Sequence, residues 1–126
     1  MFVIDAKTKQ INITRGDIAS IKIDATIEGQ PYTFKPGDVV RFKVFKAKDC
    51  GCVELQKDVV VNEDTQVVNI SLNGEDTKIG DIINKPTKLW YEIELNPETN
   101  PQTIIGYDME GEKIFMLYPE GEDKQW

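Results

Sequence analysis

Carboxylates are the main reactive groups that this sequence offers, because 22 of its 126 residues are Asp or Glu and none is His. Without an imidazole, acid–base chemistry would rest on carboxylate pairs such as those of glycosidases. The acids are scattered, however, and no nucleophile elbow, phosphate-binding Gly loop or metalloprotease motif occurs. We therefore expect no catalytic residues and no enzymatic activity. A glycan hydrolase with two catalytic carboxylates is the enzymatic alternative.

Two short segments contain residue types that bind metals. Cys50 and Cys52 lie in "KDCGCV", and Asp108, Glu110 and Glu112 alternate along "YDMEGEK". A disulfide across one residue would be strained, and a zinc site needs about four ligands. Alternating carboxylates can converge on Ca²⁺ only where the backbone loops around the ion. We interpret both segments as hairpin turns, with reduced thiols and solvated acids, and predict no metal or cofactor.

Arg15, Gly16 and Asp17 form the cell-adhesion tripeptide Arg-Gly-Asp within "INITRGDIASIKI". One alternating apolar segment ends just before it and another begins just after it. Gly16 can adopt positive φ at little cost, and Asp17 can close a turn through its side chain. The sequence therefore predicts a structural turn between two strands rather than a receptor-binding loop.

Alternation of apolar and polar residues dominates the chain and is typical of half-buried β-strands. The clearest segments are "IASIKIDATIEG", "VVRFKVFK", "QVVNISLN" and "KLWYEIELN". Turn signals such as "KPGD" and "NPETNP" separate them. Only "LNGEDTKIGDII" indicates helix, a single turn before Gly80 that Asp76 or Thr77 could cap. About eight short strands predict an all-β fold, an antiparallel sandwich or barrel with at most one short helical turn.

The size and charge of the chain restrict its organisation and partners. Residues 1–126 suit one domain, and the polar segment 119–126 is predicted to be a frayed tail. The net charge of −7 argues against nucleic acid and anionic membranes as partners. The first residues do not form a secretory signal, and no stretch reaches membrane-spanning length.

Apolar side chains on the face opposite the predicted core are the strongest indication of a binding surface. If Leu89, Tyr91 and Ile93 point inward, Trp90 points outward. If Val40, Phe42 and Val44 point inward on their strand, Phe45 points outward. In "KIFMLYP" both faces are apolar, and we assign Phe115 and Leu117 to the outer one. Such a face is covered by another part of the same chain or lies in an interface with a partner. The predicted partner-binding residues are Trp90, Phe45, Phe115 and Leu117.

The order of these motifs resembles a family. "INITRGDIASIKIDATIEGQPYTFKPGDVVRFKVFKAKD", "LNGEDTKI", "LWYEIELN" and "QTIIGYDMEGEKIFMLYPEG" are similar to segments of small phage and prophage proteins of Gram-positive bacteria. That family is similar to the N-terminal domain of baseplate upper proteins and to tail-fibre attachment domains. The resemblance implies an immunoglobulin-like β-sandwich and a structural role in the virion, and it supplies no catalytic residues.

These observations lead to one principal functional hypothesis and one alternative. The principal hypothesis is a non-enzymatic tail or baseplate protein that docks onto other tail or baseplate proteins, made in the bacterial cytoplasm and assembled into the virion. A homo-oligomer would also cover the outward rings. The alternative is a carbohydrate-binding or host-surface adhesion module in which Trp90 stacks on a sugar ring.

Overall fold

The computed structural model describes residues 2–5, 8–27, 29–46, 53–79, 85–99, 101–105 and 113–119. Several predictions made from the sequence lie outside these residues. They concern the Cys50–Cys52 turn, the acids Asp108, Glu110 and Glu112, Gly80 and the tail after residue 119.

A seven-stranded sheet forms the larger layer of the fold. Its strand order is β1-β2-β11-β9-β6-β7, and β10 also pairs with β9. The strands are β1 (Phe2–Ile4), β2 (Ile11–Thr14), β6 (Val39–Phe45), β7 (Val53–Val60), β9 (Thr87–Leu95), β10 (Gln102–Ile105) and β11 (Lys113–Tyr118). Strands β10 and β11 lie on the same side of β9, and each pairs with one half of it. Among the strands described, only β11 therefore joins the β1–β2 pair to the rest of this sheet.

Two smaller ribbons complete the β-structure. Strands β3 (Ala19–Ile23) and β8 (Val68–Leu72) pair with each other, as do β4 (Thr26–Ile27) and β5 (Gln30–Pro31). In β3 and β8 every second residue is buried, and these side chains join those of the larger sheet in one hydrophobic core. Phe42 lies at its centre, fully buried, with its ring 5.8 Å from that of Tyr91 and 6.2 Å from that of Phe115.

The predicted all-β class is confirmed. In β3, β6, β8 and β9 alternate apolar residues are buried, as their sequences predict, for example Val40, Phe42 and Val44 of β6. The prediction that all strands are antiparallel is wrong, because β2 and β11 run parallel, with Ile11 opposite Phe115. The described residues contain eleven strands rather than about eight. No helix among the described residues has the length and apolar character needed to span a membrane.

The one helix described, α1 (Gly74–Thr77), begins at a different cap from the one predicted. Asn73 is the N-cap: its side chain accepts a hydrogen bond from Asp76 N–H at 2.9 Å. The carboxylate of Asp76 accepts the N–H of Asn73 in return, also at 2.9 Å. This reciprocal pair is a capping box, so Asp76 occupies the third helical position and Thr77 ends the helix.

A carboxylate network fixes the entry into β6. Asp38 accepts hydrogen bonds from the Tyr32 hydroxyl at 2.7 Å, from Lys35 N–H at 2.9 Å and from the Asn96 amide at 3.1 Å. Asn96 accepts the N–H of Val39 at 2.8 Å and adopts φ of 49°, which Asn tolerates better than most residues. The "KPGD" turn is thereby joined to the end of β9.

This network makes stability depend on pH. Burial alone raises the pKa of Asp38, but its hydrogen bonds from Lys35, Tyr32 and Asn96 outweigh that effect and hold the pKa below 3.8. A lowered folded-state pKa stabilises the fold above the unfolded-state pKa, and this contribution is lost as pH falls through the folded-state value. We expect Asp38→Asn to lower the free energy of unfolding by about 1.5–3 kcal/mol at pH 7 and by clearly less at pH 3.

Urea unfolding at both pH values measures this difference. Asp24→Asn is the matched control, because Asp24 is an exposed carboxylate at the end of β3. An equal loss for Asp38→Asn at both pH values would contradict the role assigned to the charged form.

Candidate docking surface

The outer face of the larger sheet brings together aromatic and aliphatic side chains from three neighbouring strands. Phe45 of β6 is opposite Trp90 of β9, and Trp90 is opposite Ile114 of β11. Met116 follows two residues after Ile114 and therefore faces the same side. All four side chains are half-buried. We call them the outer apolar patch.

The outer apolar patch results from the alternation of side chains between the two faces of each strand. The inward residues of β6 and β9 are large and apolar, so core packing fixes which side chains point outward. Trp90 Nε1 is inaccessible to solvent and has no hydrogen-bond acceptor among the described residues. A buried indole N–H without an acceptor is destabilising, so this N–H makes an unfavourable contribution to folding.

Two lysines lie over the aromatic rings of the patch. Lys88 Nζ is 5.6 Å from the centre of the Trp90 ring, and Lys43 Nζ is 5.6 Å from that of Phe45. Both are within the range of cation–π attraction. Lys88 is exposed and is opposite Met116 across the β9–β11 pair. The rim of the patch is therefore cationic at Lys88.

The same face of the sheet becomes ionic farther along β6 and β9. Lys43 Nζ lies 2.6 Å from Glu94 and 3.3 Å from Glu92, and Arg41 binds Asp58 through two hydrogen bonds of 2.9 and 3.0 Å. The bonds from Arg41 hold the pKa of Asp58 below 3.8. Burial lowers the pKa of Lys43, but its bonds to Glu94 and Glu92 outweigh this and raise it. These charges are paired within the chain, and this ionic part of the face adjoins the uncharged apolar patch.

The structure corrects two of the four predicted partner-binding residues. Phe115 and Leu117 are 0% and 1% exposed and lie on the inner face of β11, opposite Leu89 and Thr87. Neither can contact a partner in the folded chain. Trp90 and Phe45 do lie side by side on the outer face, and their partner-binding role stays a prediction.

Sequence reasoning failed on β11 because both faces of "KIFMLY" are apolar. Its one charged residue, Lys113, lies on the same face of the strand as Phe115 and Leu117. In the structure Lys113 is itself only 4% exposed. The missed surface residues are Ile114 and Met116, and no period-2 signal in this strand distinguishes them from Phe115 and Leu117.

The predicted structural turn at Arg15, Gly16 and Asp17 is confirmed. Gly16 has φ of 89°, and Arg15 is only 8% exposed. The hydroxyl of Thr77 accepts Gly16 N–H at 3.0 Å and donates to the Asp17 carbonyl at 2.8 Å. A Cβ on Gly74 would lie 2.8 Å from the Gly16 carbonyl oxygen. The tripeptide therefore packs against α1, and the Arg15 side chain is largely buried.

A groove of about 270 Å³ lies between β10 and the segment after β3. Its polar lining consists of Lys9, Asp24, Thr26, Gln102 and Thr103. Tyr91 lies beside it, and its hydroxyl donates to the Lys9 carbonyl at 2.5 Å; burial raises the pKa of Tyr91 to about 12. Within the parts of the chain that the structure describes, no three His, Cys, Asp or Glu side chains cluster as metal ligands. The described lining of the groove offers hydrogen-bonding groups.

Comparison with known proteins yields no family model, curated protein or solved structure that matches this chain.

Proposed function

We propose that this protein is a non-enzymatic tail or baseplate component of a phage or prophage virion that docks onto another tail protein through the outer apolar patch. The observation that supports this most strongly is the row of Phe45, Trp90 and Ile114 across three adjacent strands. Aromatic residues and Met are enriched in interface cores, and charged residues belong to the rim. The patch has this composition, with Lys88 at its edge.

An immunoglobulin-like arrangement is part of this proposal. The order β11-β9-β6-β7 in the larger sheet and the β3–β8 pair in the smaller one correspond to G-F-C-C′ and B-E of a variable-type immunoglobulin domain. The short helix α1 then falls between strands E and F. In this proposal the chain is made in the bacterial cytoplasm and incorporated into the virion during tail assembly.

The partner that suits this surface has an apolar centre with a carboxylate at its rim to meet Lys88. Lys88 is exposed at the edge of the patch, whereas Lys43 on the same face is paired with Glu92 and Glu94. A carbohydrate partner fits less well, because stacking on a sugar needs an open ring face and Lys88 Nζ already lies over that of Trp90.

We expect the double change Phe45→Ala with Trp90→Ala to weaken binding to the cognate tail protein at least tenfold, which corresponds to about 1.4 kcal/mol. The tail proteins to test are those encoded beside this gene. Gln56→Ala is the matched control, since Gln56 is exposed on the same face, opposite Lys43, and is not one of the four residues of the patch. Calorimetry with purified partners gives the affinities, and circular dichroism checks that each variant is folded.

Trp90 can also report binding directly. The chain has two tryptophans, so Trp126→Phe leaves Trp90 as the only indole fluorophore. We expect its emission to shift when the tail protein is added and to stay unchanged with cell-wall glycans. A shift with glycans alone, abolished by Trp90→Ala, would replace docking by carbohydrate binding. Equal affinity of the double variant and the Gln56→Ala control would refute docking through this patch.

A further inference from the structure

The two outermost strands of the larger sheet differ in how they are protected against pairing with other chains. Strand β7 has eight residues, of which Glu54, Lys57 and Asp58 are charged. Strand β1 is Phe-Val-Ile, without a charge, and Val3 and Ile4 are 52% and 39% exposed. Charged side chains on an edge strand discourage association, and an uncharged apolar edge promotes it. Strand β1 is therefore an uncharged and exposed edge of this sheet.

The register of β1 against β2 shows which main-chain groups face outward. Asp5 N–H donates to the Gln10 carbonyl at 2.9 Å, so residue 5 directs its N–H toward β2. The direction of the main-chain groups alternates along an antiparallel strand. The N–H and C=O of Val3 therefore also point toward β2, while those of Phe2 and Ile4 point away from it. The N–H and C=O groups of Phe2 and Ile4 have no partner among the described residues. A strand added at this edge could form four hydrogen bonds with them.

From these features we propose that a second copy of this chain pairs with β1, so that two β1 strands run antiparallel about a twofold axis through Val3. In that register Phe2 is opposite Ile4 of the other copy, and Val3 is opposite the other Val3. The strand is its own complement, since every position is apolar and each outward N–H meets an outward C=O. Closed twofold pairing of this kind uses one patch twice.

Side-chain positions are consistent with this pairing. Val3 lies on the outer face and would form a non-hydrogen-bonded pair, in which opposing side chains are closest. Ile4 lines a cavity of about 170 Å³ with Ile11, Ile21, Tyr91 and Ile93, at the open end of the core. Phe2 of the second copy, opposite Ile4, would cover the mouth of this cavity. The inference does not depend on the docking function proposed above.

Association through three residues is expected to be weak and to respond to salt. Small interfaces are transient, so the dimer of 14.3-kDa chains should appear as protein concentration rises from micromolar to millimolar. Each copy carries a net charge of −7, and added NaCl screens this repulsion. Sedimentation equilibrium should therefore show stronger self-association at higher salt.

A cysteine at position 3 tests the twofold register. In a background with Cys50→Ser and Cys52→Ser, Val3→Cys places two thiols opposite each other, at a separation that a disulfide can span. Val60→Cys is the matched control, because Val60 is an exposed valine on the opposite edge strand, 56% exposed compared with 52% for Val3. Under mild oxidation Val3→Cys should give covalent dimer at least tenfold faster. Equal rates would overturn the proposal.

A proline at position 4 tests the hydrogen bonds. The N–H of Ile4 faces away from β2, so Ile4→Pro should lower the melting temperature of dilute protein no more than Ile4→Thr does, and should weaken self-association at least tenfold. Ile4→Thr keeps the N–H and should retain most of the association. Wild-type association of Ile4→Pro would overturn the proposal. Exchange protection of β1 only after a tail protein is added would also overturn it, because a different chain would then occupy this edge.

Discussion

Phe115→Ala is expected to lower the free energy of unfolding by about 3–5 kcal/mol, while Ile114→Ala costs roughly 1 kcal/mol. Phe115 is fully buried and touches the centre of the core through Phe42, whereas Ile114 is half-buried on the outer face. Removal of the buried ring leaves a cavity that the paired strands on either side cannot close. Denaturant unfolding of both variants measures the difference.

Phe115→Leu keeps the experiment informative if Phe115→Ala does not fold. Its smaller volume change should cost about 1–2 kcal/mol, with the cooperativity of unfolding unchanged. If Ile114→Ala proved clearly more destabilising than Phe115→Ala, β11 would have the opposite orientation, and its surface residues would be those first predicted from the sequence.

Thr77→Val is expected to destabilise the protein by about 2–4 kcal/mol, although valine has nearly the same shape as threonine. The change removes the acceptor for Gly16 N–H and the donor to the Asp17 carbonyl. Each buried polar group left without a partner costs about 1–3 kcal/mol. Thr77 is fully buried, so water cannot easily replace the hydroxyl. Thermal unfolding measures the overall loss.

Limited proteolysis separates this local effect from general destabilisation. Trypsin cleaves after Arg15, which is 8% exposed and held in the turn beside α1. Thr77→Val should accelerate cleavage at this site more than at Lys88, whereas Thr77→Ser, which keeps the hydroxyl, should cleave like the wild type. A uniform increase at both sites would show that Thr77 does not specifically hold the turn.

The sequence predicts the orientation of β6 and β9 correctly because one face of each strand is apolar throughout, whereas the other face is mostly polar or charged. The same reasoning identified Phe45 and Trp90 as outward residues. Strand β11 lacks this asymmetry, and its orientation is fixed by pairing with β9 and β2, which local periodicity cannot reveal. The sequence therefore predicted the outward orientation of Phe45 and Trp90, whereas that of Ile114 and Met116 required the register of β11.

Other features were unpredictable because they depend on residues distant in the chain. The parallel pairing of β2 with β11 joins segments about a hundred residues apart, and neither segment carries a local mark of its direction. The N-cap of α1 was predicted at the wrong residue because "NGEDT" contains three residues of types that cap helices, namely Asn73, Asp76 and Thr77. Packing against Gly16 and Asp17 determines where Thr77 must lie, and with it the start of the helix.

The position of β11 between β2 and β9 has a consequence for biosynthesis. Among the described strands, the last one translated is the only bridge between the first two and the other strands of the larger sheet. At about 5–20 residues per second, a ribosome needs roughly 5–20 seconds to proceed from β2 to β11. During that time one side of β2 has no neighbour, so the nascent chain depends on late closure by its final strand.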